Sequence, residues 1–320
     1  MGSLDEHKPV LVDEVLAAIA VHPAGRYVDA TFGRGGHSSR ILAALGPEGS
    51  LVAIDRDPEA IAAGQARFAQ ERRLALVHGP FAELARLCRA AGPPQAMYDG
   101  ILIDCGVSSP QLDTPGRGFS FRQDGPLDMR MDPGAGLPVA DWLARAAFEE
   151  LRTVIATLGE ERFARKIAAG IVRERERAPI VRTLQLAGIV ERAVPVREPG
   201  KHPATRTFQA LRMHVNDELG QLRAALAQAV GLLAPGGRLA VISFHSLEDG
   251  VVRDFMRTHS SVDPALARLP IVPASAQPPL RLVGRKQRAS AAEVAANPRA
   301  RSALLRVAER VAPVIDKGAA

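Results

Sequence analysis

At 320 residues, with 47% apolar and 24% charged side chains, the chain can bury a substantial core, which excludes wholesale disorder and suits one large domain or two ordinary ones. No apolar run approaches the roughly 18 residues that span a bilayer, and Met1 to Pro9 lack the basic-then-apolar pattern of a secretory signal, so a cytoplasmic protein without a membrane partner is expected. The formal charge of +6, with 12 Lys or Arg against 5 Asp or Glu from Arg253 onward, favours an acidic partner such as nucleic acid. A bland reading competes: 36 of the 41 basic residues are arginine in an alanine-rich chain, as a biased genome would give. Cys88 and Cys105 are too few for a disulfide framework or a cysteine zinc site, and no metal is expected.

In chain order, short β-branched runs first alternate with alanine-rich amphipathic segments, the pattern of βαβ units and a parallel sheet. Strands are predicted over residues 26–30, 51–55, 74–78 and 98–104, and helices over 38–45, 57–69 and 81–91. Asp57-Pro58 supplies an N-cap followed by proline at the first helical position. The alternation then stops. Residues 105–138, rich in glycine, proline and aspartate, read as a long loop of the kind that usually carries function. Helices follow: one opening at Ala140-Asp141, one over 160–176, one capped by Thr183 and running over 184–194, then 205–213 leading into 216–233. Pro235-Gly236-Gly237 turns into a strand over 238–244, and two more strands are predicted over 280–283 and 303–310. The expected architecture is α/β: a doubly wound sheet built from residues 1–110 and 216–320, carrying residues 111–215 as a loop and helical insertion after strand four.

The first predicted strand runs into Asp29-Ala30-Thr31-Phe32-Gly33-Arg34-Gly35-Gly36-His37-Ser38, a glycine-rich turn at the strand end where doubly wound sheets bind ligands. The dinucleotide fingerprint needs a third glycine where Ser38 stands, and no phosphate-cradling P-loop is present. A cofactor with an adenosine but no pyrophosphate suits the turn, and Asp29 could face a cationic amino-acid moiety. Twenty residues beyond Gly35, Asp55 holds the position of an acid that binds ribose hydroxyls, unless it merely caps the helix that begins at Asp57. Phe81, after Gly79-Pro80, stands where an aromatic could cover adenine, or it is a core residue.

The fourth strand delivers Asp104-Cys105-Gly106-Val107-Ser108-Ser109-Pro110-Gln111. An exocyclic base amine is a poor nucleophile because its lone pair is delocalised into the ring, so a site that methylates one must orient it and accept a proton. Asp104 could do this, or could anchor the cofactor. Cys105 raises covalent addition at a ring carbon instead, but no His or Lys adjoins it and a small buried cysteine suits the position better.

His7-Lys8-Pro9-Val10-Leu11, the turn from Asp29 to Ser38, Asp104-Cys105-Gly106-Val107-Ser108-Ser109, Arg117-Gly118-Phe119-Ser120-Phe121, Pro126-Leu127-Asp128-Met129-Arg130-Met131 and Ser243-Phe244-His245-Ser246-Leu247-Glu248-Asp249 occur in that order. Together they resemble the bacterial MraW family, also called RsmH, and the match runs to the Leu305-Arg306-Val307-Ala308-Glu309-Arg310 tail. The resemblance implies a class I, Rossmann-like methyltransferase sheet with a helical insertion. It also implies S-adenosyl-L-methionine as cofactor and 16S ribosomal RNA of the small subunit or its precursor as partner. The implied acceptor is the exocyclic N4 of a cytosine, the cytosine-1402 class, in the decoding region. The family's cofactor contacts fall on Gly35, Gly36, His37, Asp55, Phe81, Asp104 and Gln111. Both family and chain lack the Asp-Pro-Pro-Tyr tetrapeptide of many amino methyltransferases, so the resemblance assigns no proton acceptor; Asp104 is the candidate.

Arg117 to Arg122 interleaves basic and aromatic residues, so Phe119 and Phe121 could stack a displaced base, or the stretch is a packed loop anchor. His245, at the end of the fifth large strand, could contact substrate, while Glu248 and Asp249 read as the first turn of the next helix. Arg162, Arg165, Lys166 and Arg173 share one face of the helix predicted over 160–176, a solvated face or an RNA-facing one, and Lys201 to Arg206 form a basic loop able to grip phosphate. Two rivals remain: a nicotinamide dehydrogenase, marked by tight NADH affinity, and a non-catalytic RNA-binding assembly factor, marked by RNA binding without methyl transfer. A homodimer is left open.

Overall fold

The computed structural model describes residues 9–93, 95–196, 200, 202–270, 273 and 276–312; His7, Lys8 and Lys201 lie outside them. The chain forms two compact units, residues 1–106 with 219–320, and residues 107–218. In chain order the first unit contains α1 (Val12–Ala18), β1 (Arg26–Asp29), α2 (Gly36–Ala44), β2 (Ser50–Asp55), α3 (Pro58–Arg67), β3 (Leu74–His78), α4 (Leu84–Ala91) and β4 (Tyr98–Asp104). The second holds α5 (Ser109–Asp113), α6 (Val139–Arg145), α7 (Phe148–Leu158), α8 (Ala164–Arg175), α9 (Thr183–Ala193) and α10 (Thr205–Val215). The chain returns through α11 (Glu218–Leu232) to β5 (Leu233–Ser243), α12 (Ser246–His259), β6 (Leu280–Leu282), β7 (Gln287–Arg288), α13 (Ala291–Ala296) and β8 (Leu304–Arg310). Among the described residues no helix is long and apolar enough to cross a membrane.

The sheet order is β3-β2-β1-β4-β5-β8-β6, with β7 also on β8; β1 to β5 run parallel and β8 enters antiparallel between β5 and the edge. The chain builds outward from β1 in one direction and then restarts at β4 on its other side, so the carboxyl ends of β1 and β4 flank the topological switch point. The continuous apolar character of these strands follows from burial on both faces. Val28, Val52, Ile54, Ile101, Ile103 and Val241 enter one core, while Tyr27, Leu51, Leu102, Ala240 and Ile242, one residue out of phase, enter the other. Strand β5 starts earlier than predicted because Leu233 already pairs with Tyr98; a bulge follows before Arg238 pairs with Gly100. A Cβ on Gly237 would lie 2.6 Å from the Tyr98 carbonyl, so the close approach at the bulge requires glycine.

Local signals hold at α3, where Asp57 accepts from the Glu59 amide at 3.0 Å with Pro58 at the first helical position. Elsewhere left-handed residues trim the starts of predicted helices, those expected over 160–176 and 216–233. Glu160 (φ 48°) separates α7 from α8, and Asp217 (φ 47°) separates α10 from α11. Residues 81–83 form a 3-10 turn before α4. Thr183 does not cap α9 but opens it, its hydroxyl donating to the Gln123 carbonyl and accepting from the Gly125 amide.

In the second unit, apolar positions three and four apart on α7 (Leu151, Ile155), α8 (Ala164, Ile167, Ala168, Ile171), α9 (Leu186, Val190) and α10 (Phe208, Leu211) meet in one core. Arg175 closes the end of α6 by donating to the carbonyls of Leu143 and Ala146 at 2.6 and 2.7 Å. The loop over 114–138 is pinned from within: Asn216 accepts from the Met131 amide at 2.8 Å and donates to the carbonyls of Met129 and Arg212 at 2.7 and 2.8 Å. Asn216 is 2% exposed, so water cannot replace these partners. Asn216→Ala should therefore lower stability by about 3 kcal/mol, at roughly 1–3 kcal/mol for each buried backbone group left unpaired. Urea denaturation, with an unchanged transition midpoint as the contrary result, checks this.

Candidate active site

The glycine-rich turn is built from below. Asp29, at the end of β1 and 1% exposed, accepts from the Ser38 hydroxyl at 2.6 Å and the Thr31 amide at 3.2 Å, tying the start of α2 to the strand. Burial raises its carboxyl above the ordinary range despite those donors. Gly35 is left-handed (φ 71°), and a Cβ there would sit 2.7 Å from the ring of Phe32 beneath it; one on Gly36 would meet Pro9 at 2.9 Å. These two glycines thus let the turn pack closely on its apolar neighbours.

Asp55, at the end of β2, accepts from the Gly33 amide at 2.7 Å through Oδ2 and from the Asp57 amide at 2.8 Å through Oδ1. Asp57 is the helix cap, so Asp55 instead joins the turn to the second strand. Its environment pushes its pKa up to about 6: burial dominates, the two backbone donors oppose it, and the charges of Asp57 and Asp29 add to it.

At the end of β4, the Asp104 amide donates to Thr31 Oγ1 at 2.7 Å. Its carboxylate Oδ2 lies 3.4 Å from His37 Nε2, while Oδ1 is buried without a hydrogen-bond partner among the described residues. Burial disfavours the His37 imidazolium, but Asp104 and the charges of Asp29 and Glu293 outweigh it and hold the imidazole pKa above its ordinary value. The structure therefore gathers Gly35, Gly36, His37, Asp55 and Asp104 at one end of the parallel strands. Phe81, in the 3-10 turn after β3, is half-buried and packs against the core of the same unit. Cys105 is 7% exposed within that core.

His245 caps α12: its Nδ1 accepts from the Glu248 amide at 3.3 Å, and Nε2 lies 3.0 Å from Glu248 Oε1. Glu248 returns to accept from the Phe244 amide at 2.8 Å, and Asp249 holds Arg306 through two bonds of 2.7 and 2.9 Å.

The remaining predicted residues belong to the second unit. Gln111 is buried and accepts from the Ser108 amide at 3.0 Å in a capping box at the start of α5. Phe119, expected as an exposed stacking platform, is 5% exposed in the apolar core, which corrects that expectation in favour of a loop anchor. Arg117 is likewise buried and donates to the carbonyls of Arg130 and Met131. Phe121 is half-buried, its ring stacked on His202 with centroids 4.4 Å apart. Arg165, Lys166 and Arg173 are exposed on α8, Arg173 with Glu174 3.8 Å away; Arg162 precedes the helix and lies over the ring of Phe163, so it leaves the predicted face.

Sequence reasoning missed Thr31, Ser38 and Glu293. Thr31 and Ser38 lie inside the glycine-rich motif but carry no signal of what they bind. Glu293 Oε1 accepts from the Leu11 amide at 2.7 Å across 282 residues of chain, beyond the reach of any local pattern.

A family model described as the MraW methylase family matches residues 5–311. A ribosomal RNA small subunit methyltransferase H from Thiobacillus denitrificans is 60% identical over 307 residues, covering 96% of this chain and 97% of its own. Proteins of the same description from Thioalkalivibrio sulfidiphilus and Azoarcus sp. are 54% and 55% identical, covering 96% and 97% of this chain and 98% of each of theirs.

The His37–Asp104 geometry has a spectroscopic signature. In an NMR titration His37 should titrate above 6.5, and in Asp104→Asn below it, because burial then acts without its main opponent. An imidazole that titrates identically in both proteins would show that the two side chains do not interact.

Proposed function

As a member of the MraW methylase family the chain is an S-adenosyl-L-methionine-dependent methyltransferase of small-subunit ribosomal RNA, and we propose that its acceptor is the exocyclic N4 of a cytosine of the 1402 class in the decoding region of 16S rRNA. The observation that best supports an amine acceptor is the buried, unpartnered Oδ1 of Asp104 beside the glycine turn. Family membership sets aside the nicotinamide dehydrogenase, and Ser38, bonded to Asp29, takes the place of the third dinucleotide-binding glycine.

The residues present fit the cofactor. Each carboxylate oxygen of Asp55 receives one backbone N–H and keeps a lone pair for a ribose hydroxyl, and Gly35 and Gly36 seat the turn between Asp55 and His37 against Phe32 and Pro9. His37, Phe81 and Gln111 complete the proposed contacts. The cofactor supplies an electrophilic methyl group on a positively charged sulfur. Asp104 then has two tasks: to orient the amine so that its lone pair points in line at the methyl carbon, and to take the proton released as the new N–C bond forms. His37 Nε2 faces Oδ2 at 3.4 Å, which leaves Oδ1 for the amine. Cys105, packed among apolar side chains, takes no covalent part.

A base paired in a helix cannot present N4 to such a site, so the acceptor is extruded from its stack. Arg165, Lys166 and Arg173 on α8, Phe121 with His202, and His245 are the proposed RNA contacts. The reaction belongs to the cytoplasm, where the small subunit or its precursor is available.

Binding should depend on pH through Asp55. Its carboxylate form accepts the ribose hydroxyls and predominates above about pH 6, so affinity for S-adenosyl-L-methionine is full above that value and falls as pH drops through it. Calorimetry should find binding roughly tenfold weaker at pH 5 than at pH 7.5, and Asp55→Asn should flatten the profile. A parent protein whose affinity does not change over this range would remove Asp55 from the ribose site.

Turnover separates the two roles open to Asp104. As proton acceptor, Asp104→Asn loses about 10²- to 10⁴-fold in kcat with cofactor affinity nearly unchanged, whereas a cofactor anchor would lose affinity first. Cys105→Ser keeps substantial activity. RNA trapped covalently on Cys105 would overturn the direct-transfer mechanism, and bound RNA with no transfer to any subunit intermediate would mark an assembly factor.

A further inference from the structure

Because β8 runs antiparallel to β5, its first residue, Leu304, pairs with Ser243, the last residue of β5. The start of β8 therefore lies at the same end of the sheet as Asp29, Asp55 and Asp104. Outside β8 the edge strand is interrupted: Leu282 pairs with Ala308 and Gln287 with Leu305, so residues 283–286 stand against only residues 306 and 307. Gly284, left-handed at φ 67°, turns the chain out into this bulge.

The bulge and β7 carry Arg285, Lys286 and Arg288, all exposed. Arg301, also exposed, lies in the 3-10 turn (Pro298–Ser302) that leads into Leu304, the partner of Arg288. Among the described residues no ion pair joins any of these four cations to an acid, and Asp249, which the charge of Lys286 reaches, is already held by Arg306. The acids nearby are engaged: Asp249 by Arg306, Glu309 by Arg238 and Arg281, and Glu293 by the Leu11 amide. Two hydrogen bonds from Arg306 chiefly hold the Asp249 carboxyl below its usual range, and the charge of Lys286 contributes, which places Lys286 near the first turn of α12.

Edge strands carry charge to keep other strands from pairing with them. That accounts for cations on the edge in general, but not for Arg301, which lies off it. Nor does it account for the contrast along the edge, where Arg281 of β6 is neutralised by Glu309 at 2.6 Å and the cations beside the active-site end are not.

Resting on the ribosomal RNA methyltransferase reading, we infer that Arg285, Lys286, Arg288 and Arg301 form a phosphate-binding rim that holds the RNA backbone flanking the acceptor nucleotide. The rim touches no base, so it contributes affinity and position but no sequence preference. Arginine and lysine serve equally here, because each acts as a charge in a solvent-exposed contact.

The test uses the full chain and two fluorescein-labelled RNA hairpins of equal length, one from the small-subunit decoding region and one scrambled, with anisotropy measured across a salt series. The combined variant Arg285→Gln, Lys286→Gln, Arg288→Gln should bind both hairpins at least tenfold more weakly near physiological salt. Its slope of log affinity against log salt should be shallower by about 2, since each lost phosphate contact removes roughly 0.7–0.9. Affinity for S-adenosyl-L-methionine, measured on the same preparation, should stay at the parent value and reports that the sheet is intact. The charge-keeping variant Arg285→Lys, Arg288→Lys should retain the parent slope. A glutamine variant with the parent slope overturns the inference, and if it also forms dimers or aggregates, the cations serve edge protection instead. A parent protein with no salt-dependent affinity for either hairpin defeats the ribosomal RNA reading itself, a result distinct from loss of the rim alone.

Discussion

Where the strand order reverses, the Asp104 amide leaves the β-ladder and donates to Thr31 Oγ1. That bond joins the ends of β1 and β4, the two strands on which the glycine turn and the candidate proton acceptor separately depend. From it follow the level of Asp104 relative to the turn, the approach of His37 to Oδ2, and the burial of Oδ1. Asp29 supports the same corner from below through Ser38 and the Thr31 amide, so both strand ends and the first turn of α2 form one hydrogen-bonded block. A rigid block of this kind suits a transfer that tolerates little misalignment of the attacking lone pair.

The same corner explains the electrostatics. Three carboxylates, Asp29, Asp55 and Asp104, stand at strand ends of one sheet edge, and Asp104, Asp29 and Glu293 act on a single imidazole, that of His37. Burial raises Asp29 and Asp55, and against the burial of His37 the charges of Asp104, Asp29 and Glu293 favour its imidazolium. A cationic cofactor entering such a region meets net negative potential, while the exposed surface of the chain is on balance positive. Cofactor and RNA are thus drawn by fields of opposite sign.

The α/β alternation and most strand boundaries were legible in the sequence because parallel strands buried on both faces leave short β-branched apolar runs between turn residues. The site acids were legible because each stands at a strand end, a position set by the same runs. Backbone at positive φ was not: Glu160 and Asp217, both placed at the start of a predicted helix, are left-handed and lie outside it, since side-chain spacing carries no record of a single left-handed residue. Phe119 and Arg117 misled for a related reason. A basic and aromatic loop has one composition whether it faces RNA or packs inward, and here the Arg117 guanidinium serves two backbone carbonyls and the Phe119 ring fills the helical core. The partners of Arg175 and Glu293 lie 29 and 282 residues away, where only the folded chain can reveal them.

The position of β8 bears on how the protein is made. Synthesis proceeds from the N-terminus, so β5 emerges from the ribosome some sixty residues ahead of the strand that covers its flank, leaving the six-residue border Arg238–Ser243 unpaired on that side during that interval. The Leu11 amide must wait longer still, until Glu293 has been translated, before it acquires its acceptor, and Pro9 beside Gly36 lies on the segment which that bond anchors. A nascent chain therefore finishes its cofactor corner only once the segment bearing Glu293 has been made, and until β8 follows it the flank of β5 stays open to pairing with other strands.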